Sequence, residues 1–172
     1  GSADYDTVQA AVDAVPKKNE TPVTIQIKNG TYKEVIEIPK DKPFISLIGE
    51  DPEKTIQTFD NYAKKDNGLG GTFGTTGSSS VFLKANDTRV ENLTIENSFD
   101  EATEEGGSQA VAAYVQGKRM YFKNVRFIGN QDTLYTRAGT QYYTQCYIEG
   151  DVDFIFGEAS VVINYSEIHS ID

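Results

Sequence analysis

The feature that most constrains this chain is a short motif that returns at a nearly fixed interval. Glu91-Asn92-Leu93-Thr94-Ile95, Lys123-Asn124-Val125-Arg126-Phe127, Thr144-Gln145-Cys146-Tyr147-Ile148 and Asn164-Tyr165-Ser166-Glu167-Ile168 share an order of polar, small and apolar residues. Their second residues, Asn92, Asn124, Gln145 and Tyr165, lie 32, 21 and 20 positions apart. A period near 20 with one enlarged unit is the signature of a solenoid, and the acidic, glycine-containing stretch 100–107 is the natural place for the enlargement. Strand-length apolar runs at Val23–Ile27, 35–38, 44–48 and Val81–Leu83 fill the earlier part of the chain. Short strands without intervening helices favour a β-helix over leucine-rich or helical repeats. An antiparallel β-sandwich, with short strands every 8–12 residues, is the other architecture the pattern allows. Val8, Ala11, Val12 and Val15 stand at helical spacing before Pro16, which predicts one short amphipathic helix near the start, placed to cap the solenoid.

Composition narrows the partners. The 172 residues suffice for one domain with a real core and fall short of two. A hydrophobic share of 38%, with no apolar stretch approaching the ~20 residues of a membrane span, excludes a disordered or membrane-crossing helical chain. The net charge of −10 and pI near 4.6 disfavour nucleic acid, anionic membrane and strongly polyanionic ligands, which need a basic surface. A nearly neutral, esterified polysaccharide passes that filter. A lone cysteine, Cys146, and a lone histidine, His169, imply neither an intramolecular disulfide nor a Cys/His metal cluster. Gly1-Ser2 lacks an initiator Met, a basic region and an apolar core, and reads as a leftover of cloning.

Asp132 and Asp153 are 21 positions apart, the same interval that relates Asn124 to Gln145. Residues one coil apart stack on neighbouring strands about 4.8 Å apart. Two carboxylates at roughly 5 Å repel by about 3 kcal/mol at an effective dielectric of ~20, or about 2 pKa units. One ionises readily while the other keeps its proton, which places a nucleophile beside an acid, and the titration belongs to the pair. Asp is also a common turn residue bonded to nearby amides, but strand formers follow both positions here, Thr133-Leu134-Tyr135 and Phe154-Ile155-Phe156. Gln131 precedes Asp132, and Gln109 lies 23 positions before it; a glutamine amide can donate to an oxyanion without adding charge, and can equally be an ordinary exposed strand residue. Phe73, Tyr135 and Phe156 can offer flat faces to sugar rings or fill core. The glycine-rich stretch 68–80 lacks the Gly-Lys-Ser/Thr ending of a phosphate loop.

Taken in order, Gly30-Thr31-Tyr32-Lys33-Glu34, Gly74-Thr75-Thr76-Gly77-Ser78-Ser79, Gln109-Ala110-Val111-Ala112, Gly129-Asn130-Gln131-Asp132-Thr133-Leu134-Tyr135 and Asp153-Phe154-Ile155-Phe156-Gly157 resemble the pectin methylesterase (pectinesterase) family, nearest its bacterial members. The resemblance runs through essentially the whole chain. It implies a right-handed parallel β-helix, secretion, and hydrolysis of methyl esters on galacturonate units of pectin without metal or organic cofactor. It assigns Asp153 as nucleophile, Asp132 as acid/base, Gln109 and Gln131 as oxyanion donors, and Thr75, Tyr135 and Phe156 as groove residues.

One part of the family pattern has no counterpart: the later Leu-Gly-Arg-Pro-Trp motif, in a chain without any Trp. Arg137 belongs to a different motif and is no substitute. The chain is therefore expected to be the N-terminal part of such an enzyme, forming one domain over 1–172. It is expected to be weakly active or inactive alone and prone to associate through its last coil. Two other functions stay open at this point, a glycoside hydrolase, since paired carboxyls at about 5 Å also suit a retaining glycosidase, and a non-catalytic pectin-binding scaffold.

Overall fold

In the computed structural model, which describes residues 4–171, each coil of the chain runs through three short strands before returning to stack on its predecessor. The first coil holds β1 (Val23–Ile27), β2 (Gly30–Lys33) and β3 (Ile36–Ile38). The second holds β4 (Ile45–Gly49), β5 (Thr55–Phe59) and, after a loop carrying the one-turn helix Gly74–Gly77, β6 (Val81–Leu83). In the third, β7 (Arg89–Asn97) bends across two faces, and a 3-10 turn at Glu101–Thr103 precedes β8 (Ala113–Val115). The fourth repeats this with β9 (Met120–Ile128) and β10 (Leu134–Thr136), the fifth has β11 (Thr140–Thr144), β12 (Tyr147–Gly150) and β13 (Ile155–Gly157), and a sixth begins with β14 (Ser160–Asn164) and β15 (Glu167–Ser170). Every strand pair is parallel. The architecture is a parallel β-helix, and the antiparallel sandwich is ruled out. Connections that return to the same sheet in parallel are right-handed for the usual twist reasons.

The repeated motif marks a corner. Asn92, Asn124, Gln145 and Tyr165 all take left-handed backbone angles, φ 58°, 55°, 53° and 48°, where the strand turns from the first face to the second. That region costs an ordinary residue energy, and Asn tolerates it best. The Asn124 Nδ2 group donates to Asn92 Oδ1 at 3.0 Å, so the amides also bond from coil to coil. The second coil uses Gly49 at this corner, where an added Cβ would stand 2.1 Å from the Asn92 carbonyl oxygen.

Coil length varies although the pairing does not. Val23 pairs with Ile45, Ser46 with Arg89, Arg89 with Tyr121, Gln141 with Met120 and Thr140 with Ser160. The stretch 100–107 does enlarge the third coil. The larger insertion, 60–80 in the second coil, leaves no periodic trace in the sequence, and helical turns return within both insertions, contrary to the expectation that none would.

Inward side chains stack in columns. Leu47, Val90, Phe122, Tyr143 and Ile163 occupy one register, with the Phe122 and Tyr143 rings parallel at 4.5 Å. The expected helix is α1 (Val8–Ala14), which lays Val8, Ala11 and Val12 on the first coil. Thr7 accepts from the Ala10 N–H, the Glu34 carboxylate accepts from the Val8 and Gln9 N–H groups, and Lys42 Nζ donates to the Val12 and Asp13 carbonyls. Both ends of the helix are thereby satisfied. At the other end the sixth coil leaves Val162 and Ile168 more than half exposed. Gly1-Ser2 lies outside the described residues. Among the described residues no helix is long and apolar enough to cross a membrane.

Candidate active site

Asp132 and Asp153 sit at the corner that leads into the third face, just before β10 and β13. The Asp132 N–H donates to the Val152 carbonyl (3.0 Å) and the Leu134 N–H to the Phe154 carbonyl (2.8 Å). In a parallel ladder those bonds set Asp132 directly opposite Asp153. Both residues are left-handed, φ 67° and 49°, a conformation that Asp accepts better than most residues. The two aspartates are one mount repeated on successive coils.

Their surroundings differ. Asp132 is 6% exposed and forms no side-chain hydrogen bond among the described residues, whereas Asp153 is exposed. Burial first, then the charge of Asp153, then that of Asp151, push the Asp132 carboxyl from its ordinary 3.8 up to about 6. Desolvation thus outweighs the like-charge repulsion expected from spacing alone. Among the described residues no cation pairs with either aspartate, and Arg137 is engaged by Glu158 at 3.2 Å.

The glutamines join through a local irregularity. The N–H groups of Ala112 and Ala113 both donate to the Thr133 carbonyl, at 2.8 and 3.2 Å, a β-bulge of two residues against one. Upstream of it the Ala110 N–H donates to the Gln131 carbonyl at 3.1 Å. This places Gln109 opposite Gln131 and leaves the small Ala110 above Asp132. The offset between the glutamines is therefore 22, one more than the 21 of the aspartates, and the bulge absorbs the difference. Both glutamines are half-buried, and among the described residues neither side-chain amide bonds to another protein group. They are free to donate outward.

The Tyr135 and Phe156 rings stack at 4.3 Å with 16° between planes. Tyr114 meets Tyr135 edge-on at 5.2 Å and Phe82 follows at 5.6 Å, so four aromatics form one column on the third face beside the aspartates. Tyr114 and Phe82 escaped the sequence reading. The same 21- and 32-residue offsets, counted back from Tyr135, reach them. Phe73 is not in this column and stacks on no other ring among the described residues. It flanks Gly74, whose N–H donates to the Ala63 carbonyl (2.9 Å), while the Ala63 N–H donates to the Gln109 carbonyl (2.8 Å). Thr75 is tied to the same strand through Ser78, whose Oγ donates to the Thr75 carbonyl and accepts from the Val111 N–H. Both residues border the Gln109 side of the site.

Asn97 holds these pieces together from beneath. Its Nδ2 group lies within bonding distance of the carbonyls of Asn61, Ser78 and Val111, and its Oδ1 accepts from the Phe99 N–H. On the far side, the Asn130 carbonyl accepts from the Asp151 N–H (3.2 Å) and its side chain donates to the Phe99 carbonyl (3.4 Å). These bonds bring the 100–107 insertion against the loop that carries Asp153. A buried acid beside an exposed carboxylate, with one uncharged amide next to the acid in sequence and another a coil away, is an arrangement suited to acyl transfer.

Known proteins resemble the chain in sequence and in fold. The chain is 43% identical to Pectinesterase 31 of Arabidopsis thaliana over 98% of its own length and 53% of that protein. It is 40% identical to a pectinesterase of Petunia integrifolia over 98% of its length and 42% of that protein. The pectin methylesterase of Yersinia enterocolitica superposes with a TM-score of 0.89 at 34% identity, covering 95% of this chain and 54% of that one. A pectin methylesterase solved in complex with a hexasaccharide superposes equally well, TM-score 0.89 at 35% identity, over 96% of this chain and 51% of that one. The chain spans about half the length of the relatives it matches. With the pectinesterase family profile matching residues 1–172 throughout, the chain belongs to the pectinesterase family.

Proposed function

We propose that this chain carries the catalytic aspartates of a carboxylic-ester hydrolase that removes methyl groups from galacturonate units of pectin. The observation that carries the reading is the register of Asp132 on Asp153, one carboxyl buried with a raised pKa and the other exposed. Asp153 attacks the ester carbonyl, and the amides of Gln109 and Gln131 donate to the oxyanion that forms. Asp132 gives its proton to the departing methanol, leaving galacturonate joined to Asp153 as an acyl-enzyme. Asp132, now a carboxylate, takes a proton from water as that water attacks, which frees the product acid and returns the proton to Asp132. Tyr135 and Phe156, with Thr75 and Phe73 on the opposite border, form the walls against which the sugar chain lies. Methylesterified homogalacturonan in an extracellular wall is the substrate that fits, and residues 1–172 act as a single β-helix domain.

The test is methanol release from methylesterified oligogalacturonides by the protein and its Asp153→Ala variant. Methanol that disappears in the variant supports the reading. An unchanged rate removes Asp153 from the nucleophile's role, and new reducing ends without methanol would point to glycosidic cleavage. A second reading, a pectin-binding scaffold, is favoured by the lack of a cation beside Asp153 among the described residues. Saturable binding without methanol would select it.

A further inference from the structure

The turn that carries Gln131 and Asp132 holds a buried hydroxyl that the esterase mechanism does not use. Thr133 is fully buried, and its Oγ1 donates to the Asn130 carbonyl at 3.0 Å, three residues back along the chain. A threonine hydroxyl bonded in this way ties a turn from within, and the two residues it encloses are Gln131 and Asp132. The same carbonyl accepts the Asp151 N–H at 3.2 Å, so both of its lone pairs are engaged. One secures the turn of Asp132, the other the turn that leads to Asp153. The slot for the hydroxyl is kept open on two coils. A Cβ added at Gly129 would stand 2.7 Å from Thr133 Oγ1, and one added at Gly150 would stand 2.6 Å from it, so a side chain at either position would press on the hydroxyl.

The next coil repeats the turn 21 positions on, with Asp151, Val152, Asp153 and Phe154 in the places of Asn130, Gln131, Asp132 and Thr133. Phe154 brings no hydroxyl. The inner bond therefore belongs to the turn of the buried acid and not to that of the exposed carboxylate. Other bonds of the acid's turn run between coils, from the Ala110 N–H to the Gln131 carbonyl and from the Asp132 N–H to the Val152 carbonyl, and they fix where the backbone lies in the stack. The hydroxyl bond acts on the torsions between Asn130 and Thr133, among them the left-handed φ of 67° at Asp132, a conformation that costs energy and persists only where its surroundings impose it. Those torsions aim both the Asp132 carboxyl and the Gln131 amide. Among the described residues neither side chain bonds to another protein group that could aim it instead.

We propose that Thr133 is a positioning residue, whose hydroxyl holds the turn in which Asp132 gives up its proton and Gln131 meets the oxyanion. The inference rests on the esterase reading of Asp132 and Gln131 given above. Thr133 is buried out of reach of the sugar chain, so loss of its hydroxyl leaves substrate binding in place and slows the chemical step. A misplacement of about 1 Å at reacting groups costs about 100-fold in rate, and a partial release of the turn is expected to lower kcat by about 10- to 100-fold.

The experiment measures kcat and KM for methanol release from methylesterified oligogalacturonides, together with urea unfolding midpoints, in the naturally encoded full-length protein and in Thr133→Ser, Thr133→Val and Thr133→Ala. Serine keeps the hydroxyl and loses the methyl group, valine keeps the volume and loses the hydroxyl, and alanine loses both. The expected result is a serine variant within about threefold of the unmodified kcat, and valine and alanine variants lowered about 10- to 100-fold with KM changed less than about threefold. Urea midpoints follow a different order, because serine and alanine each leave a cavity that valine fills. If the serine variant does not fold, valine decides alone: a lowered kcat with KM unmoved supports the proposal, and an unchanged kcat overturns it. A kcat that follows the urea midpoints, with valine like the unmodified protein and serine below it, overturns the proposal, makes Thr133 a packing residue and leaves the esterase reading intact. Absence of methanol from the unmodified protein sinks the esterase reading, and this inference with it.

Discussion

Replacing Asp132 with asparagine tests the electrostatics of the site through stability rather than through turnover. The native carboxyl titrates at about 6 against an ordinary value of 3.8. In the unfolded chain it loses its proton near pH 4; in the folded protein it keeps it until about pH 6. The folded state therefore binds more protons over that window, and stability falls as pH rises through it. At 1.36 kcal/mol per pKa unit the ceiling is about 3 kcal/mol, and solvent reaching the exposed Asp153 side reduces it to about 2 kcal/mol. Asparagine is isosteric, accepts the left-handed backbone at this corner and keeps the N–H bond to Val152. Urea unfolding of both proteins from pH 4 to pH 8 isolates the effect, because the other titrating groups largely cancel in the difference. The variant should gain about 2 kcal/mol relative to the unmodified protein between pH 4 and pH 6 and then run parallel to it. A difference that stays flat, or that turns in favour of the unmodified protein as pH rises, would refute the claim that Asp132 is buried at a cost and kept for its chemistry.

Two further outcomes follow from the same geometry. Gln109→Leu and Gln131→Leu should each lower kcat for methanol release by about 100-fold, in line with loss of one oxyanion donor, with KM changed far less; a KM effect alone would make them substrate contacts instead. Asn97→Ala leaves buried carbonyls of Asn61, Ser78 and Val111 without their shared donor, and should cost about 3 kcal/mol in denaturant unfolding. A loss under 1 kcal/mol would mean that the three segments are held together by other contacts.

Much of this was legible before any coordinates, and the exceptions have physical causes. The repeated corner at Asn92, Asn124, Gln145 and Tyr165 gave the period because a left-handed turn in every coil restricts the residue allowed there. That period then put Asp132 against Asp153. The exact register of Gln109 was not readable from the period, since Ala112 and Ala113 together face one residue of the next coil and lengthen the offset to 22, and a bulge leaves no mark in polarity. The second coil was hidden because residues 60–80 separate β5 from β6 and break the interval. The larger raising effect of burial on Asp132 was also out of reach, for burial exists only once the coils are packed together. Phe73 looked like a third member of the aromatic wall, yet it stands on the loop side, tied through Gly74 to Gln109.

The ladder that joins β10 to β13 has a consequence for how such a centre can change over time. Carboxyl separation here is read off a backbone repeat of about 4.8 Å, a constant of peptide hydrogen bonding that no side chain has to maintain. Loops may lengthen from one coil to the next, as 60–80 and 100–107 already do, without altering that ruler. The reacting groups keep their spacing while the material around them is free to be rewritten, so new substrate preferences can be acquired by insertion at the rim with the chemistry left untouched.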